Sequence, residues 1–371
     1  MGESRRPDWN GRILRTQHDR EQAGLRALVV SSQANITYLC GFAGTAGLLV
    51  LAPGGARLIV DGRYESGARR RLETSGVDQI TVEPVTKRYD AALADVIARI
   101  GTKEAGFEAE HVTVAMLEAW RRASGAVQWT PTERLIERRR AVKDPGELEI
   151  LRDACRRLAD IARHTRDFVA EGRTERDVAR AVDQAIERAG FDAPAFPTIV
   201  AAGPNSAQPH ARPTDRRLAS GDLVMLDFGG RLDGYCGDLT RMAAVGQVGA
   251  EARSLFDAVR EAQAAAIAAV RPGRPASAVD TAARDALAQR GLGEAMLHAT
   301  GHGLGLELHE APRIARPDPT HADGLEIGMV CTIEPGAYVE GLGGVRLEDD
   351  VLVTPDGCEI LTDVPRDLVI V

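Results

Sequence analysis

Lysine is almost missing from this chain. Of 46 basic residues among 371, only Lys87, Lys103 and Lys143 are lysines, and the remainder are arginine. That skew is a compositional bias and assigns no function. A block of basic residues is also lacking and the formal net charge is -8, so nucleic acid is excluded as the main partner. Cysteine is sparse: Cys40, Cys155, Cys236, Cys331 and Cys358 are scattered, odd in number and at no metal-binding spacing. They read as reduced thiols of a cytoplasmic protein rather than a disulfide framework. Met1 to Trp9 contains no apolar signal core and no apolar run is long enough to cross a bilayer, so neither secretion nor membrane insertion is expected.

The length exceeds one average core and implies two domains. Before residue 136, short apolar runs such as Ala27–Val30, Gly47–Leu51 and Ala56–Val60 alternate with helical stretches such as Tyr89–Ile100, an α/β pattern. Glu137 to Pro145 reads as a charged connector whose proline can open the next helix. The expected division is an N-terminal domain over 1–140 and a second domain over 144–371.

The second domain contains a duplication. Glu149 to Ala170 reads as a helix, Thr174 caps the next one with Asp177 as its capping-box partner, and an acidic hairpin follows. Leu255–Val270 and Ala276–Gln289 form another helix pair, followed by another acidic hairpin, and Gly172 precedes Val178 as Gly273 precedes Val279. A helix, helix, hairpin unit used twice would bring both hairpins to one central site.

The first hairpin runs Leu226-Asp227-Phe228-Gly229-Gly230-Arg231-Leu232-Asp233-Gly234-Tyr235-Cys236-Gly237-Asp238-Leu239-Thr240-Arg241. A turn centred on Leu232 and Asp233 sets Asp227 opposite Asp238, whereas one centred on Asp233 and Gly234 pairs Asp227 with Thr240. In either register Asp227 and Asp238 share a face, because side chains alternate along a strand. The second, Cys331 to Gly336 with Gly343 to Glu348, contributes Glu334 and Glu348 around a glycine-rich turn. Any one of these acids alone is more often a plain strand-end or turn residue. Four buried together would repel one another and take up protons, and two divalent cations would remove that conflict. Oxygen-dominated ligation with one imidazole suits Mn, Co, Fe or Zn. His302, between two glycines in Gly301-His302-Gly303-Leu304-Gly305, is the nitrogen donor of choice. A dinucleotide-binding reading of that run fails because the third glycine is misplaced.

The stretches LDFGG, GDLTR, GHGLGLELHEAP, TIEPGAY and VRLED resemble those of the pita-bread metallopeptidases, the family of methionine aminopeptidase, aminopeptidase P and Xaa-Pro dipeptidase. By that resemblance the ligand order Asp, Asp, His, Glu, Glu falls on Asp227, Asp238, His302, Glu334 and Glu348, and the fold is a pita-bread catalytic domain behind a creatinase-like α/β domain. Asn35 to Phe42 and Asp61 to Tyr64 resemble segments of that N-terminal domain, which methionine aminopeptidases usually lack. The resemblance therefore implies hydrolysis of an Xaa-Pro bond in dipeptides or short peptides by a cytoplasmic homodimer with two divalent metal ions, Mn first. A water bridging two cations becomes a hydroxide near neutral pH and attacks a carbonyl polarised by one of them.

The resemblance also makes His210, His298 and His309 transition-state donors or proton carriers, and Glu334 a general base. Arg346, two residues before Glu348, is placed to orient a ligand carboxylate through its fixed fork. Tyr338 is explained by packing as well as by substrate contact. Arg313, directly after His309-Glu310-Ala311-Pro312, would grip the carboxylate of a dipeptide. Three alternatives stay open: dipeptidase against aminopeptidase P, a hydrolase of another small amide, and a non-catalytic peptide-binding module. The intact ligand set counts against the last and against a creatinase-like chemistry.

Overall fold

The computed structural model describes residues 7–318 and 324–371, so the first six residues of the N-terminal stretch read above lie outside the described residues. The chain forms two compact units, Pro7–Arg140 and Ala141–Val371. Among the described residues no helix is long and apolar enough to cross a membrane.

The first unit is built on a six-stranded sheet. Its strands follow the order Ile80–Pro84, Gly55–Val60, Leu48–Ala52, Leu28–Val30, Glu104–Glu108 and Gln128–Thr132. The strand Leu48–Ala52 runs antiparallel to both neighbours, and the two outer pairs are parallel. The two central strands, Leu28–Val30 and Leu48–Ala52, read as continuous apolar runs because both of their faces are buried. The helix Tyr89–Ile100 buries Leu93, Val96 and Ile97 near Trp120 and Trp129, whose rings lie 5.2 Å apart. Asn35 sits in a short helix, Gln33–Cys40, capped by Ser32. The stretch expected as a connector is partly helical instead, over Glu137–Ala141.

The second unit opens at Pro145, where Asp144 and Glu147 form a reciprocal capping box and the proline occupies the first turn. That helix ends at Arg163, short of the expected Ala170, and Thr165–Phe168 is a separate turn of helix. Thr174 and Asp177 cap the helix Glu175–Arg188. The second pair spans Ala250–Ala269 and Ser277–Gln289. Equivalent bonds hold the two repeats: the Gly172 and Gly273 N–H groups donate to the Leu218 and Leu325 carbonyls, and Leu218 and Leu325 donate back to Arg173 and Arg274. Both glycines have left-handed backbone, φ +81° and +78°, which is why the same residue recurs there.

The first hairpin pairs Leu223–Leu232 with Tyr235–Ala244 in the register Asp227 to Thr240. Its turn is centred on Asp233 and Gly234, at φ +49° and +86°, which resolves the two registers left open by the sequence. The second hairpin is interrupted. Val330–Ile333 pairs with Asp349–Thr354, and Gly336–Val339 pairs separately with Gly343–Arg346. Pro335 has no N–H to give, so the ladder breaks there. The register is the same on both sides, Ile333 to Asp349 and Gly336 to Arg346, which sets Glu334 opposite Glu348 in the gap.

Asp233 is one of two non-glycine residues with positive φ among the described residues. Asp233→Val should lower unfolding stability by about 1–2 kcal/mol, because a branched side chain is strained there, while Asp233→Gly should cost little. An unchanged urea midpoint for Asp233→Val would show the turn to be free of that constraint.

Candidate metal centre

Asp227 and Asp238 come from the first hairpin, Glu334 and Glu348 from the break in the second, and His302 from the strand Gly301–Gly303. One ligand atom each of Asp238, His302 and Glu348 lies within 4.8 Å of the others. Glu334 Oε1 is 3.3 Å from His302 Nε2. Asp227 is tied to the group through Arg346 and Thr240. Arg346 donates to Asp227 Oδ2 and, at 3.3 Å, to Thr240 Oγ1, which itself donates to Glu348 Oε2 at 2.7 Å.

Glycine makes room where the strands crowd. A Cβ on Gly301 would stand 2.0 Å from the Thr332 carbonyl oxygen, and one on Gly303 would stand 1.9 Å from that of Ala311. The backbone on either side of His302 thus packs closer than any side chain allows. The imidazole is oriented from behind, since His302 Nδ1 meets the Gly303 carbonyl at 3.0 Å. A carbonyl accepts, so Nδ1 carries the proton and Nε2 keeps its lone pair toward Glu334.

Three of these acids keep one buried oxygen without a protein donor: Asp227 Oδ1, Asp238 Oδ1 and Glu348 Oε1. Buried acceptors are ordinarily satisfied, and unpaired ones carry a desolvation cost. Burial, then the fields of Glu348 and Asp227, raise the Asp238 carboxyl well above the usual range. Burial and Glu334 do the same to Glu348, and burial pushes Glu334 up to about 8. Arg346 is the guanidinium inside the group and is held protonated by Asp227. Oxygens without donors, mutually repelling acids and an imidazole lone pair together fit a divalent cation.

The remaining predicted residues surround this centre. Arg346 also donates to Tyr338 Oη at 2.7 Å and to the Pro209 carbonyl at 3.1 Å, which ties the loop next to His210 to the same guanidinium. With Arg346 donating to its oxygen, the Tyr338 hydroxyl donates to His298 Nε2, 2.8 Å away, and His298 Nδ1 donates to the Ala299 carbonyl at 2.7 Å. His298 is therefore neutral, and burial lowers its pKa to about 4. Tyr338 is a link in this chain of bonds and not only a packing residue. His309 is exposed, with its ring edge-on to His302 at 4.2 Å, and His210 is exposed and acts electrostatically on both His298 and His309. Arg313 pairs across the strands with His302. It lines a cavity of roughly 590 Å³ together with His298, Arg284 and Arg316, and none of the four acids and the imidazole described above borders that cavity.

Thr240, Thr332 and Asp350 were not singled out by sequence. Thr332 Oγ1 accepts the His302 N–H at 3.1 Å and donates to Glu334 at 3.3 Å, and Asp350 Oδ2 accepts the Asp238 N–H at 3.0 Å. Each lies one or two residues from a predicted ligand or faces one in register, which is the signal that could have found them.

The raised carboxyls have a pH consequence. Glu334 rises from 4.5 to about 8, so its protonated form favours the fold below pH 4.5 and that contribution is lost as pH climbs through 8. His298 and His302, lowered from 6.5 to about 4, add stability that is complete above pH 6.5. Between about pH 7 and pH 9, Tm of the metal-free protein should therefore fall, and saturating Mn should abolish the slope. A metal-free Tm that stays flat across that window would refute the buried-acid account.

Metallopeptidase family M24 matches residues 149–355, and the Creatinase/Prolidase N-terminal domain matches residues 12–142. The Xaa-Pro dipeptidase of Pyrococcus furiosus is 34% identical over 350 residues, 94% of this chain and 96% of that protein. The structure of an Xaa-Pro dipeptidase from Bacillus anthracis superposes with a TM-score of 0.92 at 32% identity, over 98% of this chain and 100% of the other. That of an X-Pro aminopeptidase from Thermotoga maritima gives 0.85 at 30% identity, over 95% and 100%. The duplicated pita-bread unit, its acid and imidazole centre and the creatinase-like domain before it agree with these matches, and the chain belongs to metallopeptidase family M24.

Proposed function

We propose that this protein is a metal-dependent peptidase that hydrolyses the bond between an N-terminal residue and a following proline. The observation that carries the proposal is the set of donorless oxygens on Asp227, Asp238 and Glu348 beside the free Nε2 of His302. Asp227, Asp238, His302, Glu334 and Glu348 would hold two divalent cations, with Mn the first to test and Co, Zn or Fe as substitutes. Such ions supply acidity to water and positive charge to a substrate carbonyl. The chain supplies the rest. Glu334 takes the proton of the attacking water, and burial makes it basic for a carboxylate. His210 and His309 donate to the substrate or carry protons, whereas neutral His298, whose Nδ1 donates to the Ala299 carbonyl and whose Nε2 accepts from Tyr338, acts through that hydroxyl. Arg346 orients Asp227 while Tyr338 couples the same guanidinium to His298.

The relatives divide between dipeptidase and aminopeptidase names. A dipeptide presents a carboxylate beside its proline, and Arg313, exposed and lining the cavity that His298 also borders, offers a counter-charge. The proposal therefore favours dipeptides. Its further terms are a cytoplasmic location, with which five free thiols are consistent, and a homodimer, to be checked by sedimentation.

With Mn bound, Ala-Pro should be cleaved faster than Ala-Pro-Ala. Faster cleavage of the tripeptide would make the enzyme an aminopeptidase P, and silence on both would move the assignment to another small amide. Arg313→Ala should raise KM for Ala-Pro about 10-fold or more, the loss of one charge-assisted contact. An unchanged KM would remove Arg313 from the substrate site.

A further inference from the structure

Lys143 is one of three lysines in a chain whose other 43 basic residues are arginine, and its side chain is 0% exposed. A fully buried ammonium is costly unless it is paired, so its partners identify what it serves. Nζ lies 2.9 Å from Glu310 Oε1 and 3.2 Å from the Ala141 carbonyl oxygen. Its own backbone is fixed, because its N–H donates to the Gly328 carbonyl and the next residue caps the helix Pro145–Arg163.

Glu310 follows His309 directly and is the anchor of the segment 304–310. Its carboxylate lies under Gly305, where a Cβ would stand 2.3 Å from Oε1, and Oε2 is 3.5 Å from the Glu307 N–H. The other end of the segment is tied down by the Cys236 N–H donating to the Gly305 carbonyl at 2.7 Å. Between these anchors stands His309, against His302. An arginine fork could not replace the compact ammonium without moving the carboxylate, which accounts for a lysine at this position in so arginine-rich a chain.

We infer that the buried Lys143–Glu310 ion pair is a positioning device that fixes the 304–310 segment and with it the His309 imidazole at the catalytic centre. The inference rests on the proposed peptidase reading for the role of His309, but the ordering of the segment is independent of it.

The test uses the full chain, with Lys143→Met, Lys143→Arg, the double variant Lys143→Met with Glu310→Gln, and His309→Ala beside them. Hydrogen exchange of the metal-free proteins reads the segment, and kcat and KM on Ala-Pro with Mn read the reaction. Lys143→Met should lose protection over 304–310 while other segments keep theirs. Its kcat should fall on the order of 10²-fold, with KM within about twofold, as misplacement of a catalytic group does. Lys143→Arg should restore neither fully. If Lys143→Met does not fold, the double variant, which leaves no buried charge unpaired, should fold and show the same two losses. Protection and kcat both unchanged would overturn the inference. Loss of only one would overturn it as well, since the pair would then order a segment irrelevant to the reaction or act on the reaction without ordering it. His309→Ala with wild-type turnover would overturn the link from the ion pair through His309 to catalysis, whereas a wild type silent on Ala-Pro would defeat the peptidase reading and leave hydrogen exchange to decide whether the pair orders the segment.

Discussion

Four acids share a small buried volume around one imidazole, and their mutual repulsion is the constraint on which the rest of this unit depends. Asp238 and Glu348 are almost wholly shielded from water, and burial together with a neighbouring carboxylate, Glu348 for the first and Glu334 for the second, raises the affinity of each for protons. The interior answers with a single fixed cation at the centre, Arg346, whose fork reaches Asp227, Thr240, Tyr338 and the Pro209 carbonyl. Pairing one guanidinium with one carboxylate leaves the others uncompensated, and a protein that retains such a cost does so because something else binds there.

The duplication explains how so unfavourable a group is assembled. The helix Pro145–Arg163 packs on the first hairpin, while the second helix pair shares one core with apolar residues of both hairpins, among them Met225 and Met242 of the first and Ile333 and Val351 of the second. The strand of Asp238 then meets that of Glu348 along the seam, where the Glu348 N–H donates to the Thr240 carbonyl and Arg241 spans to Asp349. That shared core and the bonds along the seam hold the acids at fixed separations. Apolar packing, collected over many residues, supplies the energy that holds them there.

Much of this was legible in the sequence because it is local. Alternation within a hairpin put Asp227 and Asp238 on one face whichever turn formed, and Thr174 with Asp177 announced a helix start through chemistry confined to four residues. The choice of turn was not legible, since Leu232-Asp233 and Asp233-Gly234 differ only in which backbone adopts positive φ. The break in the second hairpin was overlooked although Pro335 signals it. Helix ends shifted where only the periodicity of apolar residues guided them, as at Arg163. Bonds across long separations, such as Asp238 to Asp350 or Lys143 to Glu310, leave no local pattern.

The rarity of lysine looked like a bias without content, and for Lys87 and Lys103 nothing contradicts that. Lys143 differs because burial converts residue choice into geometry. At an exposed position either cation keeps its hydration and the swap costs little, so mutational drift toward arginine meets no resistance. In a sealed site the ammonium and the planar fork demand different shapes from the carboxylate they face. A composition that drives nearly every basic position to arginine therefore acts as a filter, and a buried lysine that survives it marks a place where the shape of the cation matters. Here that place lies beneath the segment that carries His309 toward His302.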